Sequence, residues 1–238
     1  MSVYRESFLK GAKDGIPIAL GYLAVSFSLG IAMRTAGITS LQGFFLSLLN
    51  LASAGEYAGL QVILTNGSYF EIAMVTLVAN ARYLLMSTAL SQRFSPETNF
   101  LHRLGVAFGI TDELFGAAIA REGDVDPVCY YGSLIPSAFF WALGTSLGIT
   151  AGSVLPAPIV NALSVALYGM FIAIIIPPSR KDKAVAVCVI AGFFFSWLFS
   201  VIPLLSSITG GTRVILLTVV IASAAAILKP LQGDSYDA

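Results

Sequence analysis

Charged residues are scarce in this chain. Thirteen basic and thirteen acidic side chains make up only 11% of its 238 residues, against roughly 25% in an ordinary soluble domain. Histidine occurs once, as His102 in a polar linker, and cysteine twice, as Cys129 and Cys188. Such a set has no metal-ligand spacing and no disulfide framework, so no metal and no cofactor is expected, and the two thiols read as inert core cysteines. No serine stands in a nucleophile-elbow pattern, and no His/Cys/acid cluster is present, so the chain does not read as an enzyme. Net charge is zero. No run of Lys and Arg is long enough for nucleic acid, which removes that partner.

What the chain does have is apolar length. Hydrophobic residues make up 57% of it, and the mean hydropathy is +0.85. A soluble domain of this size would be far too apolar on its outside. The expected fold class is therefore an all-α polytopic membrane protein, a single integral membrane domain over residues 1–238, with lipid around it.

Eight apolar segments can be drawn: residues 16–33, 42–64, 69–90, 104–120, 128–149, 158–176, 184–204 and 213–228. Before the first, residues 2–13 mix Tyr4, Phe8 and Leu9 with charge and read as a short interfacial helix. No cleavage site follows, so the first segment reads as a retained span, entered at Pro17. The basic linkers are the N-terminus with Arg5, Lys10 and Lys13, then residues 93–103 and 180–183. All three should face the cytoplasm. Eight simple crossings put two of them on the wrong side. The conflict goes away if the second and sixth segments dip in and return. About six full transmembrane helices plus two broken or re-entrant segments result, seven or eight spans being the alternative.

On that reading the acidic loop 121–127 is external, and both termini are cytoplasmic. The halves 14–120 and 128–230 then share one order with opposite orientation, the inverted repeat of many secondary transporters. A faint internal echo supports it. Ser28-Leu29-Gly30-Ile31 recurs as Ser146-Leu147-Gly148-Ile149, and Asn50-Leu51-Ala52-Ser53 loosely matches Asn161-Ala162-Leu163-Ser164.

Ionisable residues inside such segments cost about 2.5–3.5 kcal/mol each at the bilayer centre on insertion scales, and they mark functional sites. Three stretches carry them. In Ser53-Ala54-Gly55-Glu56-Tyr57-Ala58-Gly59, glycine weakens the helix, and Glu56 at a break near Gly55 can carry a proton or hold an ammonium group. A protonated Glu56 bonded across a helix interface is the structural alternative. In Asn80-Ala81-Arg82-Tyr83, Asn80 and Arg82 point to different faces of a helix. Arg82 stays charged, and needs a carboxylate, carbonyls or an anionic ligand. In Gly109-Ile110-Thr111-Asp112-Glu113, the adjacent acids diverge by about 100° on a helix and serve different partners. One would pair with Arg82 and the other would change protonation, unless both sit at an aqueous mouth. The candidate substrate or proton pathway is thus Gly55, Glu56, Asn80, Arg82, Thr111, Asp112 and Glu113.

These three motifs in this order resemble the AzlC family of bacterial branched-chain amino acid permeases. Asp14-Gly15-Ile16-Pro17 and the run from Pro136 through Trp141-Ala142-Leu143-Gly144-Thr145 add to the likeness. The specific part is the Asn-x-Arg of residues 80–82 with the Thr-Asp-Glu of 111–113. The resemblance implies an exporter of leucine, isoleucine, valine and analogues, paired with a small membrane subunit of the AzlD type. Many members of the family carry glutamine where this chain has Glu56. The expectation is a proton-driven exporter of small apolar amino acids in the bacterial cytoplasmic membrane. A channel for a small neutral solute or ion, or a non-transporting scaffold, are the alternatives.

Overall fold

The structure is a computed structural model that describes residues 2–156, 182–202 and 210–229, with residues 158, 159, 172, 175, 176, 179, 180, 205 and 208 between them. Most of the sixth apolar segment, the 161–164 echo and the tail from residue 230 lie outside the described residues. Among the described residues every regular element is an α-helix, as the fold class required. In chain order they are α1 (Ser2–Thr35), α2 (Ser40–Asn50), α3 (Ser53–Leu64), α4 (Tyr69–Ala79), α5 (Arg82–Ser91), α6 (Phe100–Phe108), α7 (Asp112–Ile119), α8 (Pro127–Val154), α9 (Lys183–Val201) and α10 (Gly210–Leu228). Three of them, α1, α8 and α9, are long and apolar enough to cross a membrane. A fourth span exists if α4 and α5 are one broken crossing.

The chain divides into two compact units, Met1–Tyr57 with Ala79–Leu167, and Ala58–Val78 with Tyr168–Ala238. The first is built on α1 and α8. Helix α8 has 28 residues, about 42 Å at 1.5 Å per residue, which exceeds the ~30 Å hydrocarbon core. Glycines let the two backbones touch. A Cβ on Gly11 or Gly30 would run into the carbonyl oxygen of Cys129 or Thr145, and one on Gly148 into that of Phe27. Small residues at such contacts are the usual basis of helix packing in lipid, where no hydrophobic effect drives association.

Three expectations are corrected here. Residues 2–13 are not a separate interfacial helix. They are the first turns of α1, which continues through Pro17, because its N-terminal part is packed on α8, with Gly15 against Ser133. The second correction concerns residues 104–120, which do not carry the chain to the opposite side. Arg93 Nη2 donates to the carbonyls of Arg121 at 2.7 Å and Gly123 at 2.6 Å. Val125 N donates back to the Arg93 carbonyl at 2.7 Å. The linker before α6 and the acidic loop after α7 therefore lie at one end of the unit. Helices α6 and α7 enter and return, with their break at 109–111.

The third correction follows from the second. An inverted repeat would set the first helices of its two halves antiparallel, but α1 and α8 run parallel. Gly11, Gly15 and Gly30 meet Cys129, Ser133 and Thr145 in the same order along both helices. With α6 and α7 returning, the chain makes an even number of crossings between the start of α1 and the start of α8.

In the second unit α9 packs with α10, and its Phe193, Phe194 and Trp197 stay exposed, as a lipid-facing surface would be. Glu71 Oε1 accepts from the backbone N (3.1 Å) and hydroxyl (3.2 Å) of Thr212. At the end of this unit Lys229 Nζ lies 2.6 Å from Asp182 Oδ1. The hydrogen bond from Lys229, then that from the Ala184 N–H, holds the Asp182 carboxyl below the usual aspartate range.

Candidate functional site

Three apolar segments are interrupted, and each interruption has a local cause. Helix α2 starts on a capping box, with Thr39 Oγ1 accepting from Gln42 N and Gln42 Oε1 from Thr39 N. It ends at Leu51, a left-handed residue with φ 49° whose N–H bonds to the Ser47 carbonyl at 3.0 Å. Such a conformation costs a leucine about 1–2 kcal/mol. The break expected near Gly55 is thus four residues upstream, and Gly55 lies in the first turn of α3. Its missing Cβ serves another purpose: a methyl there would sit 2.5 Å from Asn80 Nδ2 and 2.9 Å from Oδ1. The carboxamide of Asn80 rests on the bare face of Gly55.

Asn80 and Ala81 separate α4 from α5, so Asn80 and Arg82 are not on different faces of one helix, as the pattern suggested: Asn80 lies in a break and Arg82 starts the next helix. Thr111 caps α7, accepting from Leu114 N at 3.3 Å, and Asp112 and Glu113 fill that helix's first turn. Acids are stabilised at a helix N-terminus, where backbone N–H groups point outward.

These breaks meet side chains from the middle of α1 and α8. Glu56 is 3% exposed. Its Oε1 accepts from Trp141 Nε1 at 2.9 Å and from Ala52 N at 3.2 Å. Its Oε2 lies 2.6 Å from Ser47 Oγ, which is 2.8 Å from Thr145 Oγ1. Thr145 Oγ1 is in turn 3.2 Å from the Trp141 carbonyl. Ser47 has one hydrogen and two oxygen neighbours. With Glu56 ionised, Ser47 donates to the carboxylate and Thr145 to Ser47, leaving the Trp141 carbonyl. With Glu56 protonated, the acid donates to Ser47, Ser47 to Thr145, and Thr145 to the Trp141 carbonyl, so every contact is made. The two arrangements differ by one proton and the reversal of two hydroxyls.

Trp141 meets Tyr22 edge-on at 5.3 Å between ring centroids. The Tyr22 hydroxyl lies 2.6 Å from both Thr111 Oγ1 and Glu113 Oε2. Arg82 Nη1 is 2.6 Å from Asp112 Oδ2, with 34% and 35% of the two side chains exposed. The pair is therefore only partly covered by the rest of the chain. The guanidinium also lies 5.3 Å from the Tyr83 ring centroid. Arg82 therefore has the carboxylate partner it was expected to need, and the adjacent acids take different partners as anticipated. All seven residues singled out in the sequence fall around these three breaks. Sequence reasoning did not single out Tyr22, Ser47, Trp141 and Thr145 as site residues, although two of them lie in the Trp141–Thr145 stretch that carries part of the family likeness.

The family model described as AzlC protein matches residues 17–155, more than half of the chain. The chain belongs to the AzlC family. This AzlC protein is 28% identical over 187 residues to an uncharacterized membrane protein of Archaeoglobus fulgidus, covering 78% of the chain and 81% of that relative. It is also 28% identical over 190 residues to the inner membrane protein YgaZ of Escherichia coli K12, covering 76% of the chain and 77% of YgaZ. A membrane protein of Helicobacter pylori 26695 is 26% identical over 156 residues, covering 62% of the chain and 67% of that relative. No solved structure matches this AzlC chain. Both α1 from Pro17 onward and α8 fall in the matched range, as do all three breaks.

Proposed function

We propose that this AzlC protein is a secondary transporter, not an enzyme. It exports branched-chain or other small apolar amino acids across the bacterial cytoplasmic membrane on the proton gradient, working with a small AzlD-type membrane subunit. One observation carries the reading. Four ionisable residues, Glu56, Arg82, Asp112 and Glu113, meet at three helix breaks beside the middle of two membrane-length helices. Irregular backbone at membrane depth is tolerated only where it faces protein or a wet cavity, and transporters build their substrate and ion sites from broken helices near the midplane.

An amino acid needs a cation for its carboxylate, an acceptor for its ammonium group and apolar walls for its side chain. Arg82 supplies the cation. The two self-consistent hydrogen-bond arrangements around Glu56 make it the candidate coupling acid. The inner-membrane name of the Escherichia coli relative supports the location. The test is L-leucine counterflow in proteoliposomes, with and without the small subunit, under an imposed pH gradient. Saturable counterflow that follows the gradient is expected. Unsaturable flux would favour a channel, and no flux with the small subunit still bound would favour a scaffold.

A further inference from the structure

Counting hydrogen-bond partners around the breaks leaves two buried atoms over. Asn80 Oδ1 and Arg82 Nε each have under 1 Å² exposed and no partner among the described residues. Buried polar groups in folded proteins are nearly always satisfied, so each exception needs a cause. One atom is a neutral acceptor and the other a cationic donor. They belong to residues two positions apart, whose Cα atoms are less than about 8 Å from each other.

The acids nearby are already occupied. Asp112 is held by Arg82, Glu113 by Tyr22, and Glu56 by Ser47, Trp141 and the Ala52 N–H. Each carboxylate of this cluster thus already has a partner of its own. The free acceptor is the Asn80 carbonyl oxygen, held on the bare Cα of Gly55, where a side chain would displace it. We infer that Asn80 Oδ1 accepts from the ammonium group of an α-amino acid, and Arg82 Nε–H donates to the carboxylate of the same molecule. The break at Asn80-Ala81 is thus the head-group site of the transporter, and Gly55 is the residue that makes room for it.

A zwitterion fits this pair better than an anion or an amine. It brings an anionic acceptor and a cationic donor on one carbon, and no net charge beside an ion pair that is already neutral. A neutral amide oxygen also binds ammonium less tightly than a carboxylate does, which favours release in a transport cycle. Asn80 and Arg82 bond the substrate directly, whereas Gly55 acts through Asn80.

The inference rests on the transport reading, and the experiment separates their failures. L-Leucine counterflow is measured in proteoliposomes holding the full chain with its small subunit. Unlabelled L-leucine, isocaproate (no ammonium) and isoamylamine (no carboxylate) serve as competitors. The parent should be competed by leucine far better than by either analogue. Asn80→Ala should reduce the advantage of leucine over isocaproate about tenfold or more, the loss of one hydrogen bond to a charged group. Asn80→Asp, of equal size, should keep that advantage. Gly55→Ala should resemble Asn80→Ala, and Arg82→Lys should reduce the advantage over isoamylamine. If the parent works and Asn80→Ala discriminates as the parent does, a bridging water satisfies the two atoms and the inference falls alone. If the parent moves no α-amino acid, the transport reading and the inference fall together.

Discussion

Trp141 Nε1 donates to Glu56 Oε1 at 2.9 Å, and it does so from the middle of the longest contact in the first unit, that between α1 and α8. The indole joins two halves of the polar cluster. On one side it holds Glu56, and on the other it packs on Tyr22, whose hydroxyl meets Thr111 and Glu113. An indole N–H only donates, so it holds the carboxyl oxygen in either protonation state.

Trp141→Phe keeps an aromatic ring against Tyr22 and removes the donor. A hydrogen bond to a charged group is worth about 1.5–3 kcal/mol, and leaving its buried partner short of a donor costs a similar amount. The variant should unfold at lower temperature than the parent in the same detergent. Its leucine counterflow should also fall. Trp141→His, which can restore a donor, should recover part of the loss. Equal unfolding temperatures for the parent and the phenylalanine variant would mean that the bond contributes nothing to stability.

The glycine seam between α1 and α8 makes a second prediction. A Cβ at Gly30 would overlap the Thr145 carbonyl, and one at Gly148 the Phe27 carbonyl, while Gly21 has nothing within 4 Å of its Cβ position. Gly30→Ala and Gly148→Ala should each destabilise by about 1–3 kcal/mol, the usual cost of overpacking. Gly21→Ala should be neutral or raise stability by up to about 1 kcal/mol through helix propensity. Thermal unfolding of the three purified variants checks the contrast. The Gly30 and Gly148 variants should also move Thr145, and with it the hydroxyl beside Glu56.

Much of this was legible in the sequence, and the misses have physical causes. The embedded charges led to the site, because lipid makes them too costly to keep without use. The fold class followed from apolar length. The breaks at Asn80-Ala81 and at 109–111 were read as interior positions of unbroken spans. Yet Thr111-Asp112-Glu113 is an N-cap followed by two first-turn acids, a helix start written in plain residues. Hydropathy alone overrode it, since a window of about 19 residues averages across two short helices. The break at Leu51 had no glycine to announce it, because the C-cap is a leucine held left-handed by its surroundings. Tyr22 and Trp141 carry no charge and sit in runs of aromatic and aliphatic residues, so nothing in composition set them apart. Their roles come from the register of α1 on α8.

Sidedness follows from the hydrogen bonds of Arg93. The linker 93–103 and the loop 121–127 are joined by them, and Arg121 also pairs with Asp14 of α1 at 2.8 Å. Arg5, Lys10, Lys13, Arg93, Arg103 and Arg121 therefore lie toward one end of the unit, which we predict to be cytoplasmic. Glu97→Cys and Glu122→Cys, each in a background without Cys129 and Cys188, should both resist a membrane-impermeant thiol label in intact cells. Both should react after permeabilisation. Labelling of Glu122→Cys alone from outside would sink the return of α6 and α7. Labelling of both would keep the fold and reverse the orientation.

The last prediction tests Glu56 as the coupling acid. Glutamine can take over each of its contacts, with one amide hydrogen left over. The amide oxygen accepts from Trp141 and Ala52, and the amide nitrogen donates to Ser47. Ser47 then donates to Thr145, and Thr145 to the Trp141 carbonyl. This is the arrangement of the protonated acid, made permanent. Glu56→Gln should therefore fold, and its unfolding temperature should stay close to the parent's. Leucine counterflow at equal pH on both sides should continue. What should be lost is the response to an imposed pH gradient, because the position can no longer release a proton. Thr145→Val gives a second view, since it takes away the acceptor that Ser47 needs when Glu56 carries its proton, and so favours the ionised arrangement. Its gradient response should change without the full loss seen in Glu56→Gln. If Glu56→Gln accumulates leucine along the gradient as the parent does, the proton travels elsewhere. Asp112, half-exposed and shared with Arg82, is then the group to neutralise next.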